Sequence, residues 1–216
     1  MQDFELRLSH LQKSFGRPVL QDINLQAARG SYITILGRSG SGKSTLLNIL
    51  GMVEEYDSGE YLFNGTLIRK HKDYSRLRRE NIGFIFQSCH LIPTLSCREN
   101  ILLPLLYESR SCASRLDELV EQLGIQELLS QRVNTLSGGE MQRAAFARAL
   151  MLDPCLILAD EPTGNLDTEN RNRILDLLDQ ENQKGRAIIL ITHDPEVAAR
   201  AKTIYHLKDG VLHEKT

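Results

Sequence analysis

A chain of 216 residues is long enough for one large α/β domain or two small ones. Its 26 basic residues against 28 acidic ones leave no electrostatic footprint for nucleic acid, and no apolar run approaches the roughly 20 residues that span a bilayer. The four cysteines (Cys89, Cys97, Cys112, Cys155) form neither a C-x-x-C pair nor a Cys/His cluster, so they read as small buried hydrophobes in a reducing compartment, not as disulfides or zinc ligands.

The first ten residues, MQDFELRLSH, alternate polar and apolar and carry acids, unlike a secretory signal. A soluble cytosolic chain is the expectation. Phe4, Leu6, Leu8 and Leu11 predict a half-buried strand over 4–11, followed by a turn at Lys13-Ser14-Phe15-Gly16-Arg17-Pro18. Strands are predicted over 19–25 and 31–36, parted by Arg29-Gly30. A hairpin is predicted over 60–68, with Asn64-Gly65 supplying a type I′ turn. Residues 82–87 form a continuous apolar run, as in a parallel strand buried on both faces.

From about 91 to 135 the pattern becomes helical: Leu116, Leu119, Val120 and Leu123 share one face, and Gly124 sits at a C-cap position. A loop ending in Leu136-Ser137-Gly138-Gly139 precedes an alanine-rich helix over 140–150. Strands over 155–159 and 187–191 flank a helix over 168–183 that closes at Gly185. Asp194-Pro195 then opens another helix, and short strands at 203–207 and 211–213 finish the chain. Strands alternating with helices predict a mainly parallel sheet with helices on both faces. The early strands, lacking helices between them, should form a separate antiparallel layer. The expected unit is one α/β domain over 1–216 with a helical insertion at about 90–135.

Within this frame GRSGSGKS, residues 37–44, satisfies the phosphate-binding template G-x-x-x-x-G-K-[ST] at Gly37, Gly42, Lys43 and Ser44. Glycines let successive backbone N–H groups turn inward as an anion nest, and the helix that follows aims its positive dipole end at the same phosphates. Arg38, Ser39, Gly40, Ser41 and Thr45 complete the candidate cradle. Lys43 can reach the β- and γ-phosphates, and the Ser44 hydroxyl can ligate Mg²⁺. A nucleoside triphosphate is therefore the expected ligand.

The strand ending in Asp160-Glu161 places two acids where ligands of parallel sheets sit. Asp160 is expected near the Mg²⁺ held by Ser44, and Glu161 facing the γ-phosphate, where it could polarise an attacking water. Gln87 and His193 end equivalent strands: Gln87 as a Mg²⁺ or water contact, His193 as a sensor of the γ-phosphate. The other histidines (His10, His71, His90, His206, His213) read as surface residues. Ser137, Gly138 and Gly139 open a helix and make a second anion site, expected too far from residues 37–44 to share one phosphate in the same copy. An isologous dimer burying two ATP molecules resolves this.

Taken together, GRSGSGKS, Gln87, LSGGE at 136–140, LILADE at 156–161, GNLD at 164–167 and His193 resemble the nucleotide-binding subunit of an ABC (ATP-binding cassette) transporter over essentially the whole chain. The resemblance implies an ABC-type phosphate-loop ATPase fold that couples ATP and Mg²⁺ to transport as a homodimer. It implies that Phe15 stacks on adenine, that Glu161 is the general base, that Asp160 and Ser44 hold Mg²⁺, and that Ser137 and Gly139 bind the other subunit's γ-phosphate, with Asp167 also at the nucleotide. Met141 departs from the glutamine usual at that place. Asn48-Ile49-Leu50-Gly51, RRENIGFIFQSCHLIPTLSCRENILLPLLY at 78–107 and DEPTGNLDTEN at 160–170 are similar to the bacterial lipoprotein-release and macrolide-efflux ATPase group.

That narrower resemblance implies a peripheral protein on the cytoplasmic face of the bacterial inner membrane. Its partners would be integral permease subunits and a periplasmic or extracellular accessory protein, its cargo a lipoprotein, peptide or hydrophobic drug. Leu91, Ile92, Leu95 and the run 101–106 would either line a groove for the permease or pack only on the helical layer. The alternative class is a soluble ABC-type ATPase regulating a non-transport assembly. Against it, too few residues separate Lys43 from Ser137 for a long coiled coil, and there is one cassette rather than two. A GTPase is disfavoured because no N-K-x-D motif occurs.

Overall fold

The opening alternation of apolar and polar residues becomes two long antiparallel strands, β1 (Glu5–Ser14) and β2 (Pro18–Ala28), with Leu8 opposite Leu25. Leu6, Leu8, Leu20, Ile23 and Leu25 point into the core and their neighbours into solvent, the period of a pleated strand. The computed structural model describes residues 4–107 and 113–215; Cys112 lies outside them. β3 (Tyr32–Leu36) is buried along its whole length and feeds the phosphate loop, which α1 (Lys43–Leu50) leaves. β4 (Ser58–Phe63) and β5 (Thr66–Leu67) form the predicted hairpin, with φ of 48° at Asn64 and 72° at Gly65. The short helix α2 (Ser75–Asn81) had no sequence signal, because none of its residues is buried and no apolar face marks it.

β6 (Ile82–Phe86) is followed by α3 (Cys97–Leu102), a 3₁₀ turn at Leu103–Tyr107, and α4 (Ala113–Leu123). Next come α5 (Gly138–Leu150), β7 (Leu156–Asp160), α6 (Thr168–Gln183) and β8 (Ala187–Thr192). The chain closes with α7 (Pro195–Ala198), β9 (Thr203–Lys208) and β10 (Val211–Glu214). All ten strands join one sheet in the order β5-β4-β1-β2-β10-β9-β3-β8-β7-β6. Within it β5, β4, β1 and β2 form the expected antiparallel layer, joined to the parallel strands at its β2 edge. β10 turns back on β9 and meets β2 in parallel at Val211 and Asp22, stitching the two halves together. A pairing between residues almost the length of the chain apart leaves no local pattern to read.

Two apolar cores flank the parallel strands. One gathers Leu6, Ile23, Tyr61 and Phe63 of the antiparallel half with Leu46 and Ile49 of α1 and Ile189 of β8. The other packs Ile101, Leu119 and Leu123 of the helical stretch with Phe146 and Leu150 of α5, Leu178 of α6 and Ile188 of β8. Cys89 and Cys97 are buried, and burial pushes both thiols up to about 11; Cys155 is only partly buried. Among the described cysteines, then, the two most buried are held as neutral thiols at neutral pH.

The helical stretch is also held by charge. Fully buried Glu181 of α6 accepts from Gln122 of α4 at 3.0 Å, from Lys184 at 2.6 Å and from Arg186 Nε at 2.6 Å. Burial opposes its charge, but these hydrogen bonds outweigh it and lower its pKa below the ordinary value. A lowered folded pKa means the stabilisation is complete above the unfolded carboxyl pKa and is lost as pH falls through the folded one. Glu181→Ala removes these three bonds but leaves Arg186 with Asp153 and the Pro154 carbonyl, so it is expected to lose about 1–3 kcal/mol in urea unfolding at neutral pH. The gap from the parent should narrow in acid.

Candidate active site

Register brings the site together. Leu36 of β3 pairs with Thr192 of β8, Ile191 with Asp160 of β7, and Asp160 with Phe86 of β6, so four parallel strands end side by side. Whatever follows each strand lands on one rim: the phosphate loop, His193, Glu161 and Gln87. The cleft there has a volume of about 890 Å³, and Lys43, Ser44, Gln87, Asp160, Glu161 and His193 all line it.

The phosphate loop is built to receive an anion. Gly40 and Gly42 take φ of 77° and 99°, backbone that side-chain-bearing residues resist, and Gly42 caps α1 with no side chain on its free N–H groups. Lys43 is buried, and among the described residues its ammonium donates only to the carbonyls of Gly37 (2.7 Å) and Arg38 (2.9 Å). Ser41 Oγ is buried without a hydrogen-bond partner among the described residues. Open N–H groups, a cation without a contacting carboxylate and an orphan hydroxyl together fit phosphate oxygens.

The acids have distinct settings. Ser44 Oγ donates to Asp160 Oδ2 at 3.2 Å. Burial raises the Asp160 pKa, and the neighbouring Glu161 charge adds to this, while Ser44 and Lys43 act the other way. A cation would relieve that desolvated carboxylate. Glu161 sits at φ 47°, a left-handed conformation costly for a non-glycine residue and often found at functional sites. Its carboxylate is held by His193 Nδ1 at 2.7 Å and Thr192 Oγ1 at 3.2 Å. Strand ends alone put Glu161 and His193 on one rim; their contact is a finding of the structure. Gln87 donates to Asn165 Oδ1 at 3.1 Å, turned toward the 164–167 loop.

Other predicted residues lie elsewhere. Ser137, Gly138 and Gly139 do not line the cleft; Ser137 and Gly138 are exposed. Ser137 caps α5 in a reciprocal box: its Oγ accepts the Glu140 N–H at 3.4 Å, and its own N–H donates to Glu140 Oε2 at 2.7 Å. Asp167 caps α6, accepting from Asn170 N at 2.9 Å and Nδ2 at 2.7 Å. Asn170 also accepts from Arg143 at 3.2 Å and packs on Gly139, where an added Cβ would fall 2.3 Å from Asn170 Oδ1. Gly139→Ala is therefore expected to cost about 1–3 kcal/mol in urea unfolding, because the fixed amide must be displaced.

Phe15, in the β1–β2 turn, is exposed and does not line the cleft, whereas Val19 farther along does. Met141 packs against the second core. His90 is the residue missed. It is on the surface as expected, yet it lines the cleft, 4.8 Å from the Phe86 ring, at φ 47°. Its closeness to Gln87 in sequence was the available signal.

The ABC transporter family model matches residues 20–164. The chain is 44% identical over 98% of its length to a pyoverdine export ATP-binding/permease protein of Pseudomonas fluorescens, and 46% identical over 90% of its length to a macrolide export ATP-binding/permease protein of Wolinella succinogenes. It spans about a third of the length of these relatives (34% and 31%). An uncharacterized ABC transporter ATP-binding protein of Bacillus subtilis is 42% identical over 96% of this chain and 95% of its own. Among solved structures, the ATP-binding cassette MJ0796 in a dimeric post-hydrolysis state with ADP and Pi superposes with a TM-score of 0.89 at 34% identity, covering 98% of both chains. No helix among the described residues is long and apolar enough to cross a membrane.

Proposed function

The chain belongs to the ABC transporter family as an ATP-binding ATPase cassette, and from that premise we propose that two copies sandwich two ATP molecules and drive separate integral membrane permease subunits. The observation carrying this reading is the separation of two anion-receiving helix ends on one chain. The α1 end opens into the cleft with Lys43, and the α5 end at Ser137 faces solvent outside it. One phosphate group cannot use both in one copy, whereas an isologous pair brings each cleft under its partner's α5.

In this reading the loop N–H groups, Lys43 and Ser41 grip the β- and γ-phosphates, and Thr45 and residues 38–40 complete the cradle. Glu161 accepts the proton of the attacking water, and His193, on the same carboxylate, orients it and registers the γ-phosphate. Ser137 and Gly139, with Asp167 at the rim, bind the partner's nucleotide. Ser44, Asp160 and Gln87 would hold Mg²⁺, to which Gln87 must turn from Asn165. Among the described residues no three His, Cys, Asp or Glu side chains form a metal cluster, so phosphate and water oxygens would supply the remaining ligands. Such a cation neutralises charge developing on the phosphates. ATP binding favours the closed pair, and loss of the γ-phosphate contacts lets it open.

The outlet to the membrane is the 88–107 segment. Leu106 and Tyr107 are exposed there, following Pro104, which lines a groove with Phe84 and Arg148; Ile92 is exposed as well, whereas Leu91, Ile101, Leu102 and Leu105 pack on the second core. Apolar side chains left in solvent next to the Gln87 loop suit a permease helix. The place of action is then the cytoplasmic face of the inner membrane. An export or extraction role for a lipoprotein, peptide or hydrophobic drug, with a periplasmic accessory protein, follows the pattern of the export relatives.

Trans-complementation tests the composite site. Lys43→Ala and Ser137→Arg chains should each be inactive, and mixing them should restore turnover, because one of the two sites is then intact. No recovery on mixing, with no ATP-dependent dimer by light scattering, would sink the sandwich. Purification from detergent-solubilised membranes should bring integral membrane proteins with the chain; a soluble regulator would bring none.

A further inference from the structure

Phe15 is 56% exposed, yet its ring is not free on all sides. Lys13 Nζ stands over it, 4.7 Å from the centroid. Lys13 itself is only 7% exposed, an unusual depth for a lysine. Its ammonium is gripped by Glu54 Oε1 at 2.6 Å and lies 3.8 Å from Asp57 Oδ1. Asp57 Oδ2 also accepts the N–H of Ser14 at 2.7 Å, closing the base of the turn. Glu54 follows α1, and its N–H bonds back to Asn48 O of that helix at 3.2 Å. One buried cation thus links the turn that carries Phe15 to the helix that leaves the phosphate loop.

We infer that Lys13 is the positioning residue for base stacking by Phe15: it fixes the ring plane from behind and so sets how much affinity the nucleobase adds to that of the phosphates. The inference rests on the reading that Phe15 stacks on adenine. An ammonium against one face of an aromatic ring is attracted by its quadrupole, more strongly when desolvated. Here the closest acid holding the ammonium, Glu54, is bonded back to α1, so the ring is registered against the helix that leaves the phosphate loop. An exposed phenylalanine without that backing would sample several rotamers, and stacking would have to restrict them. The competing explanation gives Lys13 only the task of neutralising Glu54 and Asp57. It predicts no difference between ligands with and without a base.

Calorimetric titration with ADP and with pyrophosphate separates the two, since both present two linked phosphates and only one carries a base. Phe15→Ala should weaken ADP roughly 10-fold, and Lys13→Met roughly 3- to 5-fold, with pyrophosphate unchanged in both. Lys13→Arg, which keeps a cation, should recover ADP binding. Glu54→Gln keeps the lysine but loosens its anchor, and should give a smaller loss confined to ADP. It carries the test if Lys13→Met does not fold. Equal weakening of ADP and pyrophosphate by Lys13→Met would overturn the inference in favour of general support. Weakening by Phe15→Ala but not by Lys13→Met or Glu54→Gln would overturn it and leave the stacking reading standing. Unchanged ADP binding by Phe15→Ala would remove both.

Discussion

Replacing Glu161 with glutamine is expected to slow ATP turnover by about 10²–10⁴-fold while ATP still binds, so that the ATP-bound dimer accumulates. The substitution is nearly isosteric and leaves the backbone at its φ of 47° with the same steric demand, so the site's shape should survive. Thr192 Oγ1 can still donate to the amide oxygen. What disappears is the carboxylate that holds His193 at 2.7 Å and could accept a proton from water. Binding is spared because Lys43 and the loop N–H groups belong to different strand ends. Phosphate release and light scattering in ATP read the two halves of the expectation separately. Turnover near the parental rate would show that Glu161 is not the base.

Lys43→Ala should act on the opposite half of the cycle, by weakening nucleotide binding itself. Lys43 is buried and donates only to two carbonyl oxygens, with no carboxylate in contact among the described residues. Most of its charge is therefore available to an incoming phosphate. Truncating one partner of such a buried charge-assisted contact costs about 2–5 kcal/mol, which converts to a loss of affinity of roughly 30-fold or more. The ATP-free chain should not lose stability, since no buried acid is left unpaired. Equilibrium binding and urea unfolding together check this. Retained affinity would mean that the backbone nest alone holds the phosphates.

Much of this was legible locally because the relevant physics is local. The G-x-x-x-x-G-K-[ST] spacing between a buried strand and a helix carries its own chemistry, so residues 37–44 identify themselves. Acids and amides at the ends of apolar strands are equally readable, since parallel strands deliver their carboxyl ends to one rim. Asn64-Gly65 and Asp194-Pro195 dictate a turn and a helix start by their own backbone preferences. Weak signals failed where burial was absent, as at α2, or where partners are distant in the chain, as at the β2–β10 stitch.

The sequence by itself determined that Gly37 to Ser44 form an anion-receiving loop and that Asp160, Glu161, Gln87 and His193 share its rim, because spacing and strand ends carry that information. Only the tertiary structure decided which of them touch. Glu161 is locked to His193, Gln87 is turned to Asn165, Asn170 is bonded to Asp167 and packed on Gly139, and Lys13, held by Glu54, lies over the Phe15 ring. Each of these arrangements includes a partner from a separate element, placed by sheet register and core packing, which no short stretch of sequence encodes.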